Sequence, residues 1–210
     1  VKDYLSSISH DQKYYRLRFV LALAYSSGCR LSELVALRRA NLRAFTRAGE
    51  NGEHWEIIVT GKGDVTRTVQ LNPQVVAEIR RYLEVRGFPS LTDAPPATPL
   101  IAALPSSDAS GCANAPLSAS RLYRVLKDFF HDVALSVMET NREAAEKIQR
   151  ASTHWLRHTF ATHGIHNGMT LETIRDLLGH RSLTTTSVYV TTEKDKRSRE
   201  VEKLGELAKF

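Results

Sequence analysis

Six of the seven prolines in this 210-residue chain fall between Pro89 and Pro116. Proline has no N–H and clashes with the preceding helical turn, so neither a helix interior nor a central strand runs through such a stretch. The segment also holds Ser106-Ser107 and Ser110-Gly111 and has little periodicity, so about 88–116 reads as a long loop or insertion. It divides an N-terminal block, roughly 1–87, from a C-terminal block, roughly 117–210, and no internal repeat links the two.

The N-terminal block opens with a helical pattern. Leu17, Val20, Leu21 and Ala24 share one side, and Gly28 stops the helix as a C-terminal glycine. A second short helix follows at once, with Leu31, Leu34, Val35 and Leu37 toward a core and Arg30 at its entrance. Two β-branched segments, Trp55 to Thr60 and Val65 to Leu71, are joined by Gly61-Lys62-Gly63-Asp64, which predicts a β-hairpin with a lysine at its tip. Residues 1–50 carry nine Lys/Arg against four Asp/Glu, so the excess behind the net charge of +6 is mostly N-terminal. Arg39, Arg43 and Arg47, with Arg38 beside them, predict a basic face on any helical part of that stretch. Such an excess is compatible with a nucleic-acid partner without demanding one.

The C-terminal block reads as helices. Leu122, Val125, Leu126 and Phe129 form one stripe, and Ser152 or Thr153 caps a helix from His154 to His163. Leu171, Ile174, Leu177 and Leu178 form the next, stopped by Gly179. Glu139, Arg142, Glu143, Glu146, Lys147 and Arg150 predict a solvated helix or helix end. A short helix is expected from about Ser182, and then a charged tail, about 193–210, whose Val201, Leu204, Leu207 and Phe210 make one narrow stripe for docking in cis or in trans. The longest strongly apolar run, Phe19 to Tyr25, is far short of a membrane span, and Val1-Lys2-Asp3-Tyr4 does not open a secretory signal. Cys29 and Cys112 make no C-x-x-C site, so a soluble chain in a reducing cytosol is expected.

His154 and Arg157 are three residues apart and share a helix face, where both reach one small anion. His154 and His158 have the i, i+4 spacing of a zinc helix, but no glutamate follows the first and no carboxylate or thiolate set completes it, so no metal site is expected. His158 reads as a packed or hydrogen-bonded helix residue, and His163 and His166 as surface residues. Taken singly, Arg30 is an ion-pair partner for Glu33, Lys62 an exposed turn lysine, His180 a helix end and Tyr189 a packed aromatic.

Taken in order, Gly28-Cys29-Arg30-Leu31-Ser32-Glu33-Leu34, Gly61-Lys62-Gly63, His154-Trp155-Leu156-Arg157-His158-Thr159, Leu178-Gly179-His180 and Tyr189 form a specific constellation. It resembles the tyrosine recombinase, or phage integrase, family over about Leu17 to Tyr189. The resemblance implies a mainly α fold with a small antiparallel β-sheet (α+β), that of the family's catalytic domain. It also implies six catalytic residues, Arg30, Lys62, His154, Arg157, His180 and Tyr189, all present in matching type.

In the family the tyrosine attacks a scissile phosphodiester. A tyrosine of pKa near 10 is ionised about one part in a thousand at pH 7, a handicap of about 4 kcal/mol. Arg30 and Arg157 are expected to neutralise the non-bridging oxygens and His180 to add a hydrogen bond. His154 accepts or relays the tyrosine proton, and Lys62 protonates the departing 5′ oxygen. The 3′-phosphotyrosyl product conserves the bond energy, so rejoining to another 5′ hydroxyl needs no cofactor and no metal.

The resemblance further implies a site-specific recombinase or integrase acting on double-stranded DNA as a homo-oligomer, a tetramer on DNA, with accessory DNA-bending proteins as further partners and no membrane association. The expected location is the bacterial cytoplasm, on the nucleoid. Residues 1–210 read as the catalytic domain, with the N-terminal core-binding domain of the family's clamp outside this sequence. A type IB topoisomerase that only relaxes supercoils, and a non-catalytic DNA-binding regulator, are the alternatives. The full set of six argues against the regulator, since binding alone does not require a tyrosine at 189.

Overall fold

The computed structural model describes residues 4–5, 11–61, 63–104 and 114–179. Its centre is helix α1, Gln12–Ser27. Asp11 accepts the Tyr14 N–H at 3.0 Å and starts the helix. Gly28, at φ 58°, ends it by donating its N–H to Ala24 O at 3.2 Å. Tyr14, Phe19, Val20, Leu23 and Ala24 are all buried, because the helix is covered from more than one side. Helix α2, Leu31–Ala36, follows, and its Leu34 is fully buried.

A 3-10 turn at Arg39–Asn41 then leads into strand β1, Leu42–Phe45. Here the structure corrects the expected basic helix face. Arg39 lies in the turn and Arg43 in a strand, so the four-residue spacing of Arg39, Arg43 and Arg47 lines no helix. Instead Arg39 Nε donates to Leu91 O at 3.0 Å, across the chain. Strands β2, His54–Thr60, and β3, Thr66–Leu71, form the expected hairpin, and β1 adds antiparallel to its far side in the order β1-β2-β3. Leu42 sits opposite Ile57 and Ile57 opposite Val69, so the buried residues of all three strands share one face.

Helix α3, Pro73–Glu84, is amphipathic. Asn72 accepts the Val75 N–H at 2.9 Å, Pro73 sits where a missing N–H costs nothing, and Val75, Val76, Ile79, Tyr82 and Leu83 are buried. The first part of the proline-rich stretch packs into the core. Leu91, Ala94, Leu100, Ile101 and Ala102 are buried, and Leu100 and Ile101 alone add about 3 kcal/mol or more to the core. Short bridges Arg38 to Pro99 and Ala102 to Pro116 pin it, with Leu100 N–H on Leu37 O at 3.0 Å and Ala103 N–H on Ala115 O at 2.8 Å. The N- and C-terminal blocks accordingly meet in the main core cluster, which draws buried residues from both.

Helix α4, Ala119–Val137, lays Leu122, Leu126, Phe129, Phe130 and Val133 on that core. Helix α5, Arg142–Gln149, is the expected solvated helix, with Arg142–Glu146 at 3.2 Å and Lys147–Glu143 at 2.6 Å. Helix α6, Thr153–His166, packs on α1. Ser152 is its N-cap residue but makes no side-chain capping bond. Helix α7, Leu171–Leu178, ends at Gly179, φ 63°, and Phe160, Ala161, Ile165, Ile174 and Leu178 lock α6 to α7. Among the described residues no helix is long and apolar enough to cross a membrane.

Candidate active site

Three of the six expected site residues lie in the described structure. Arg30 is the N-cap residue of α2, its backbone extended at φ −70° and ψ 155°. Glu33, one turn on, accepts the Arg30 N–H at 2.8 Å and Arg30 Nη1 at 2.9 Å. The Arg30 side chain nevertheless remains 38% exposed, so the ion pair steers it without hiding it.

Arg157 rises from the second turn of α6 and is buried, at 8% exposure. It donates through Nη1 to Gly28 O, where α1 ends, and through Nη2 to Leu178 O at 2.6 Å, where α7 ends. These carbonyls terminate helices and carry partial negative charge, which a guanidinium complements. Burial first, then the like charge of Arg30, lowers its pKa to about 10, with Arg67 adding to the repulsion. Arg157 is thus still a cation at neutral pH and is close enough to Arg30 to feel it. Two arginines from distant parts of the sequence share one electrostatic site.

His154 is exposed on the first turn of α6, three residues before Arg157. His158 is exposed on that helix rather than packed. His163 and His166 are surface residues as expected, and His163 Nδ1 lies 2.8 Å from the Tyr25 hydroxyl. Among the described residues no group of histidine, cysteine or carboxylate side chains could hold a metal ion.

Lys62, His180 and Tyr189, with the short helix from about Ser182 and the tail stripe, lie outside the described residues. The residues next to the first two are described. Gly61 N–H donates to Val65 O at 2.8 Å, closing a turn in which Gly63 (φ 76°) and Asp64 (φ 55°) are left-handed. Gly179 follows the two α7 carbonyls that arginines hold.

The second of those arginines, Arg67 on β3, went unmarked in the sequence. Its Nε donates to Leu177 O at 2.7 Å, and its Nη1 and Nη2 fork onto Glu33 Oε1 and Oε2 at 3.1 and 2.7 Å. Burial pulls the Glu33 pKa upward, but the hydrogen bonds from Arg67 and from the Arg30 N–H outweigh it and hold the carboxyl below its ordinary value. Cys29, buried beside this pair, has its thiol pushed upward by burial and so stays protonated at neutral pH.

The glycines show how tightly the elements meet. A Cβ on Gly28 would lie 2.6 Å from Phe160 and 2.7 Å from Leu178, and one on Gly164 would lie 2.6 Å from Ile174.

Residues 1–196 match the family described as the phage integrase family. The chain is 33% identical over 192 residues to the tyrosine recombinase XerD of Rickettsia conorii, covering 90% of this chain and 56% of that protein. It is 34% identical over 170 residues to the tyrosine recombinase XerC of Bradyrhizobium diazoefficiens, covering 81% and 44%. The chain therefore spans about half the length of the curated relatives it matches.

Among solved structures it resembles the XerH site-specific recombinase bound to palindromic difH substrate in a post-cleavage complex, with TM-score 0.62 and 21% identity over 95% of this chain and 49% of that one. It also resembles the Tn1549 transposon integrase in complex with transposon right end DNA, with TM-score 0.58 and 18% identity over 94% and 63%. At such identities the likeness is one of fold, and the expected mainly helical architecture with a small antiparallel sheet is the one found. A family match over nearly the whole chain, with relatives one third identical, makes this chain a member of the phage integrase family.

Proposed function

We propose that residues 1–210 are the catalytic domain of a site-specific DNA recombinase that cuts and rejoins double-stranded DNA through a 3′-phosphotyrosyl intermediate. The observation that carries this reading is that buried Arg157, bound to the Gly28 carbonyl two residues before the half-buried Arg30, lies close enough to Arg30 for the two charges to repel. Two forked donors suit a phosphodiester better than they suit each other, and an anion between them relieves their repulsion.

In the proposed reaction the Tyr189 oxygen forms a bond to phosphorus as the bond from phosphorus to the 5′ oxygen breaks. His154 takes the phenolic proton, directly or by relay, and Lys62 supplies one to the leaving oxygen. Arg30, Arg157 and His180 stabilise the charge that gathers on the non-bridging oxygens. Reversal onto another strand's 5′ hydroxyl completes the exchange. The proposed working form is a tetramer on DNA in the bacterial cytoplasm, on the nucleoid, assisted by DNA-bending proteins. The likeness to the XerH recombinase bound to its difH substrate and to the Tn1549 integrase in complex with transposon right end DNA supports the choice of partner.

A nicked suicide duplex tests it, drawn from DNA flanking the coding region so that the cut end diffuses away. Wild type is expected to form a denaturation-resistant protein–DNA adduct and Tyr189→Phe none. Absence of adduct from wild type on every such duplex overturns the reading. Relaxation of a supercoiled plasmid without site-dependent joining replaces it with a topoisomerase.

A further inference from the structure

The Glu33 carboxylate accepts four hydrogen bonds from two guanidinium-bearing residues. Arg30 gives its backbone N–H and Nη1, and Arg67 gives Nη1 and Nη2 as a fork. The two arginines are not equivalent. The Arg67 side chain is 9% exposed and that of Glu33 3%, while that of Arg30 is 38% exposed. The inner arginine is the counter-charge in the water-poor region, where Coulombic compensation counts most, and the outer one faces solvent. Without Arg67, Arg30 would be the sole cation on a buried carboxylate, and the charge that an incoming anion meets would be cancelled.

Arg67 also touches the two segments that run to site residues outside the described structure. A Cβ on Gly61, the neighbour of Lys62, would lie 3.0 Å from Glu33 Oε1 and 3.6 Å from Arg67 Nη1. A Cβ on Gly179, the neighbour of His180, would lie 3.2 Å from Arg67 Nη1, and Arg67 Nε holds Leu177 O two residues earlier. One side chain therefore lies where α2, the hairpin turn and the end of α7 meet.

We propose that Arg67 is a positioning residue of the transesterification site: it balances the charge of Glu33, which leaves Arg30 available to a phosphate, and fixes the end of α7 against β3. It acts through Glu33 and the Leu177 carbonyl rather than by touching the phosphate. The proposal rests on the recombinase reading, and its test separates the two.

Inorganic phosphate, titrated at constant ionic strength while the thermal midpoint is followed, reads Arg30 availability without DNA. Arg67→Gln is expected to weaken phosphate binding about tenfold or more, because the site loses one positive charge a few ångströms away. Glu33→Gln/Arg67→Gln removes a charge of each sign and is expected to return to within about threefold of wild type. A purely structural brace predicts the opposite, losses that add. Arg67→Lys keeps the charge but loses the fork, so it binds phosphate within about threefold while forming adduct on the nicked duplex at least about tenfold more slowly.

Equal phosphate binding by Arg67→Gln and wild type overturns the proposal, as does a wild type that phosphate does not stabilise, or a double variant worse than both singles. Should Arg67→Gln fail to fold, the double variant and Arg67→Lys decide alone. If phosphate behaves as expected but wild type forms no adduct, the recombinase reading falls while the charge-balancing role stands.

Discussion

At the scale of single residues, Arg157 serves the interior and the site at once. Its two terminal nitrogens satisfy the Gly28 and Leu178 carbonyls, so Arg157→Lys, with one point of charge, leaves at least one of them without its partner. A loss of about 1–3 kcal/mol in stability is expected, read from the urea midpoint at unchanged slope. Glu33 gives a pH signature. Its folded pKa lies below the unfolded one, so its contribution is complete above about pH 4.5 and is lost as pH falls through the folded value. Glu33→Gln is expected to cost about 3 kcal/mol at pH 7, because the Arg67 fork loses its charge partner. The gap between the variant and wild type should narrow below pH 4.5, and a parallel offset down to pH 3 in a stability-against-pH series would refute the assignment.

At the scale of elements, the glycine ending α1 does two jobs. Gly28→Ala meets both a left-handed backbone and a Cβ pressed into Phe160 and Leu178, whereas Gly49→Ala meets the backbone cost alone, with nothing within 4 Å. Gly49→Ala is expected to lose about 1 kcal/mol and Gly28→Ala at least twice that, by thermal midpoint.

These glycines also mark what could be read without coordinates. Helices stopped by Gly28 and Gly179 and the hairpin turned at Gly61 to Asp64 carry their boundaries locally. Helix α3 also had its signals in Asn72, Pro73 and the spacing of Val75, Ile79 and Leu83, which the long proline stretch after it overshadowed. Strand β1 had none. Its four residues, two of them exposed, become a strand only because β2 lies beside them. At the site, ordered motifs marked Arg30, His154 and Arg157, whereas Arg67 became visible only when folding brought it to Glu33 and to Leu177.

At the scale of the whole molecule, the net charge of +6 on a chain about half the length of its relatives bears on the proposed contact with DNA. Phosphate contacts release counterions, so duplex affinity by fluorescence anisotropy is expected to fall by at least about tenfold between 50 and 200 mM salt. A flat salt response would point away from a backbone-dominated contact.

The hydrogen bond from Ala103 to Ala115 has a practical side. It brings the two ends of the intervening stretch together, so lengthening that stretch costs chiefly closure entropy, about 0.6 kcal/mol for each doubling. A reporter domain spliced between those two alanines is accordingly the modification this chain should carry with its arginine site intact.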